Sequence, residues 1–151
     1  MPNGDPNFDL PDMEQFFAPI SEAVHAFTTR RNLLLDKYYH DGRDWSLRFN
    51  HPKGGQVSIQ LRRNDEDRLL ISSIWHFDDY DKSMRSIYVR DEQFCDRDPA
   101  TVTKALENEL QSIITVDFGA WQQGRHCPSG RYTREDFNAM APKLPNPKLD
   151  N

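Results

Sequence analysis

The chain has 151 residues, 19 Lys+Arg against 24 Asp+Glu, a net charge of −5, 36% hydrophobic residues and two cysteines. That length fits one domain, or one domain with tails, and allows burial of roughly 70% of the extended surface. No stretch approaches the ~18 apolar residues of a bilayer span, two cysteines cannot build a disulfide framework, and an acidic balance argues against a dedicated duplex-DNA binder.

Proline placement marks the expected domain. Four of the ten prolines fall in residues 1–19 and four in 128–147, so the folded core is placed at 16–118. Residues 1–15 are expected to be a flexible segment. Residues 119–151 are expected to be an irregular extension, loose after Ala141, with a short helix at 133–140 opened by Thr133 and Asp136. Met1 precedes an acidic, Pro-rich stretch, so no signal peptide is expected.

The first helix starts near Asp12 or at Pro19 and runs to about Asn32. Phe16, Ile20, Val24 and Phe27 step by four, four and three, the spacing of one helical face. Pro19 suits a first turn better than an interior. Leu33, Leu34 and Leu35 fit helix or strand equally.

A meander of strands follows. Trp45, Leu47 and Phe49 alternate with Ser46, Arg48 and Asn50, as a half-buried strand does. His51, Pro52, Lys53, Gly54 and Gly55 form a turn. Val57, Ile59 and Leu61 alternate with Ser58, Gln60 and Arg62. Asn64, Asp65, Glu66 and Asp67 turn again. Residues 69–77 are apolar on both faces, which predicts a central strand. Arg85, Ile87 and Val89 mark a fourth strand, and Asp41-Gly42 would add a hairpin with an extra strand at 34–39.

The second helix carries the clearest signals. Asp98 is a good N-cap, Pro99 a good first residue, and Val102, Leu106, Leu110 and Ile113 share a face. The predicted class is α+β: an N-terminal helix, a four- to five-stranded antiparallel meander, and a C-terminal helix packed on one sheet face in two layers.

Motifs for chemistry are sparse. Trp75, His76, Phe77, Asp78, Asp79, Tyr80 and Asp81 place an imidazole beside three carboxylates, but the spacing matches no known metal loop and reads better as a strand running into an acidic turn. Cys95, His126 and Cys127 lack zinc spacing. Acidic neighbours (Asp91, Glu92, Asp96, Asp98) should raise the Cys95 thiol pKa and blunt it as a nucleophile. No serine elbow, phosphate loop or dinucleotide fingerprint is present. No metal or cofactor is expected, and catalysis is disfavoured.

Charge is segregated. Residues 1–29 hold five acids and no base, 30–63 eight bases and three acids, and 64–98 ten acids and five bases. Antiparallel neighbours of opposite sign would complement one another. Trp45, Phe49, Trp75, Phe77, Tyr88 and Trp121 supply much large apolar area in a chain short of aliphatics. The candidate binding residues are Arg48, Arg62, Trp75, His76 and Tyr88, where arginines on alternate positions could lie near aromatics.

These signals lead to a small cytoplasmic, non-catalytic protein-interaction module that meets a protein partner or a second copy of itself. One alternative is a small-ligand pocket or enzyme of the cupped-sheet type using His76 or a nearby Asp. The other is weak nucleic-acid binding through residues 30–63.

Overall fold

The structure is a computed structural model that describes residues 10–38, 44–52, 55–78, 85–89, 92–115, 125–129 and 144–149. The expected helix at 133–140 and the Asp41-Gly42 hairpin turn lie outside these residues.

The first helix, α1, spans Leu10–Arg31, with Pro19 inside it. A proline at that position removes a helical hydrogen bond and costs about 3 kcal/mol. Burial offsets this. Met13, Phe16 and Phe17 precede the proline and are 0–4% exposed, and each fully buried side chain contributes about 1.5–3 kcal/mol. The helix therefore takes the longer of its two expected forms, and residues 10–15 are helical rather than flexible.

Asn32 ends α1 in the left-handed region, at φ 58°. Leu33 N–H then donates to Thr28 O at 2.9 Å and Asn32 N–H to Thr29 O at 3.3 Å, the paired bonds of a Schellman cap. That cap frees the leucine run to become a strand, β1, at Leu34–Tyr38.

The sheet continues through β2 (Asp44–Asn50), β3 (Gln56–Arg63), β4 (Leu69–Asp78) and β5 (Arg85–Val89). These pair antiparallel in chain order, and β4 is central as expected. Two strands were not anticipated. The short β6 (Gln93–Cys95) pairs with the first half of β4, while β5 pairs with the second half. The last strand, β7 (Arg125–Ser129), pairs with β5 within the segment expected to be irregular.

Asp98 caps the second helix, α2 (Pro99–Thr115), accepting from Thr101 N–H at 3.0 Å and Thr101 Oγ1 at 2.9 Å. Both helices pack on one sheet face. The core joins Phe16, Ile20, Val24 and Phe27 of α1 and Val102, Leu106, Leu110 and Ile113 of α2 to Trp45, Leu47, Ile59, Leu61 and Ile71. Phe17 stacks on Trp45 with ring centroids 4.5 Å apart. The fold is thus α+β in two layers.

Candidate functional site

Cross-strand register sorts the expected site residues onto two faces. One row runs Phe49, Val57, Trp75, Tyr88 across β2–β5, and another runs Asp44, Arg62, Leu70 to Phe94 of β6. Phe49, Val57 and Trp75 of the first row lie on the helix-covered side: Trp75 is 2% exposed and stacks on His51 at 4.2 Å. The second row and its neighbours form the opposite, outward side.

Arg48 and Arg62 therefore point away from Trp75. Neither presents an unpaired charge. Arg48 Nη1 donates to Asp36 Oδ2 at 3.0 Å across β1 and β2. Arg62 stands opposite Asp44 and 3.9 Å from Glu92. Burial pushes the Asp44 carboxyl above its usual range, and the Arg62 charge partly counters that. For Arg48 and Arg62, then, acidic partners lie within reach, on the neighbouring strand for each. His76 lies in register between Gln56 and Ile87, and Tyr88 between Trp75 and His126.

The outward side carries a patch that the sequence reading missed. Phe94 is 53% exposed, and the Arg68 guanidinium lies 3.6 Å from its ring centroid. Leu70 is its direct partner across the ladder, and Ile74 lies four residues further along β4; both are half-buried. Phe94 gave no warning because it stands alone among charged and polar residues, without the alternation that marks a strand.

The helix-covered side holds polar groups closed off from solvent. Ser73 is fully buried, and its hydroxyl donates to Glu109 of α2. His51, expected in an open turn, is buried, with its Nε2 3.0 Å from Ile113 O. These contacts tie α2 to the sheet.

Among the described residues, clefts open at the edges of the core, two of which are defined by their lining. One, of about 300 Å³, is lined by Asp12, Gln15, Phe16, Arg63, Asp67 and Arg97. Its charges are largely matched within the protein: Arg63 reaches Asp67 at 2.6 Å and Asp12 at 3.8 Å. Both Arg63 and Arg97 lie over the Phe16 ring, at 5.1 and 4.2 Å. The second, of about 410 Å³, lies between α2 and residue Leu149.

Reactive groups are few. Burial, with Asp96 and Asp98 adding to it, raises the Cys95 thiol above its usual pKa, as its acidic surroundings predict. That lowers its thiolate fraction at neutral pH. Among the described residues no three His, Cys, Asp or Glu side chains gather as metal ligands; the side chains of His76, Asp78, His126 and Cys127 fall outside them. No family model, curated protein or solved structure matches the chain.

Proposed function

We propose that this protein is a small, non-catalytic, cytoplasmic interaction module that binds a protein partner through the outward side of its sheet. The observation that carries the reading is Phe94, a half-exposed aromatic stacked by Arg68 and paired across the ladder with half-buried Leu70. Aromatic and arginine side chains set among smaller apolar ones are the usual energetic anchors of protein interfaces. On the opposite face, among the described residues, the apolar side chains of the sheet are buried against both helices. Phe17 stacked on Trp45 between α1 and the sheet supports a packed interior over the cupped-sheet pocket. No described helix is long and apolar enough to cross a membrane, and a chain with two cysteines suits a reducing compartment.

A photo-crosslinking residue at position 94 of the full chain, expressed in its own host, tests this. The expected result is a discrete polypeptide adduct at position 94 and none at the exposed Lys104 on α2. Equal labelling at both positions, or none at 94, would overturn the reading.

A further inference from the structure

The stretch after Ala141, expected to be loose, is anchored at residues 144–149. Leu144 is 4% exposed. Asn50 donates from its backbone N–H to Pro145 O at 2.9 Å and from Nδ2 to Leu144 O at 2.7 Å. Asn32 Nδ2 donates to Asn146 O at 2.8 Å. Arg31 Nη1 reaches Lys148 O and Leu149 O, both at 3.3 Å. In return Lys148 N–H donates to Arg31 O at 2.7 Å, satisfying a carbonyl that the end of α1 leaves without a helical partner.

All of these contacts but the last share one chemistry: the groove supplies donors and the strap supplies main-chain carbonyls, the Lys148 N–H being the exception. Pro145 and Pro147 have no N–H, so the strap brings fewer donors that would need acceptors. Leu144 is its one deeply buried side chain. Glu107 holds the groove's arginine in place, accepting from Arg31 Nε at 2.9 Å and Nη2 at 3.0 Å while Nη1 faces the strap. Beyond the strap, Leu149 is 43% exposed and borders the 410 Å³ cleft with Leu110 and Ile114. The groove therefore extends past what the strap fills.

We propose that Arg31, Asn32 and Asn50 form a recognition site for a proline-spaced peptide, an apolar residue followed by Pro-x-Pro, which the chain's own residues 144–149 occupy in cis. A partner segment with that pattern enters when the strap leaves. The site is independent of the Phe94 patch. Proline-rich segments recur as docked peptides because their extended backbone is preformed and loses little entropy on binding.

The test uses a fluorescein-labelled peptide carrying residues 142–151, titrated into the full chain and into Leu144→Ser, which loosens the strap but keeps the groove. Apparent affinity scales with the fraction of open groove, so Leu144→Ser should bind about tenfold or more tightly than the unaltered chain. Adding Asn50→Ala should abolish the gain, and a scrambled peptide should not bind. Equal affinity for both chains, or for both peptides, would overturn the proposal. Should Leu144→Ser fail to fold, hydrogen exchange at Lys148 in the unaltered chain decides. Excess peptide should speed that exchange by displacing the strap, and unchanged exchange would refute the site.

Discussion

Replacing Phe17 with alanine tests whether α1 packs ahead of its internal proline. The ring is fully buried, stacked on Trp45 at 4.5 Å and set edge-on to Phe16 at 5.1 Å. Phe→Ala in a core costs about 3–5 kcal/mol, and the loss of an aromatic pair favours the upper half of that range. For a chain of this size each kcal/mol lowers Tm by roughly 2–4 °C. A loss of about 4 kcal/mol then gives a fall of roughly 8–16 °C, a large share of a typical stability of ~5–15 kcal/mol. Thermal unfolding followed by far-UV circular dichroism measures it, with exposed Ala18→Ser as a neighbour that should change Tm little. A Phe17→Ala shift under about 2 °C would mean that residues before Pro19 contribute no packing, and the burial argument for a helix through proline would fail.

Other perturbations have equally definite outcomes. Hydrogen bonds from Arg31, above all, hold the Glu107 carboxyl below its usual pKa. Its contribution is therefore full above the unfolded-state value of about 4.3 and is lost as pH falls through the lower folded value. Glu107→Gln should flatten the decline of Tm with acidification over roughly pH 5 to 3, and an unchanged slope would refute the assignment. Asp98→Ala removes the α2 cap and should lower Tm, whereas Asp98→Asn should restore most of it. Ser73→Ala leaves Glu109 without its buried donor and should cost about 1 kcal/mol in urea unfolding. In a Cys127→Ser background, alkylation of Cys95 should rise only at a pH above that of a free thiol, and Asp96→Asn should lower that midpoint.

The elements legible in the sequence are those whose signals are local. Asp98, Pro99 and the four-four-three spacing of Val102, Leu106, Leu110 and Ile113 specify α2, and strict alternation specifies β2 and β3. The start of α1 was ambiguous because proline chemistry and tertiary packing oppose one another there, and packing wins. The fate of the leucine run turned on Asn32, whose left-handed cap is a backbone property that apolar spacing does not encode. Gln93, Phe94 and Cys95 of β6 are too few to show a strand pattern, and pairing with Leu69, Leu70 and Ile71 orders them.

The site was legible in part. Alternation placed Arg48 and Arg62 on one face, but block-level charge segregation did not reveal Asp36 or Asp44, which lie inside the basic block; only Glu92 beside Arg62 comes from the acidic 64–98 stretch. Trp75 could not be placed, because β4 is apolar on both faces and only register with Val57 assigns it to the helix side. The strap was missed for a different reason. It is held mainly through backbone carbonyls, which every residue carries, so composition says nothing about it.

The central claim is that the outward side of the sheet engages a protein through Phe94. Native mass spectrometry of the untagged chain and of Phe94→Ser, both purified gently from the native host at low salt, tests it most directly. The account predicts a stoichiometric polypeptide, or a second copy of the chain, retained by the unaltered protein and lost from a variant of unchanged Tm. A partner that survives Phe94→Ser, or a retained mass of a few hundred daltons in place of a polypeptide, would contradict it.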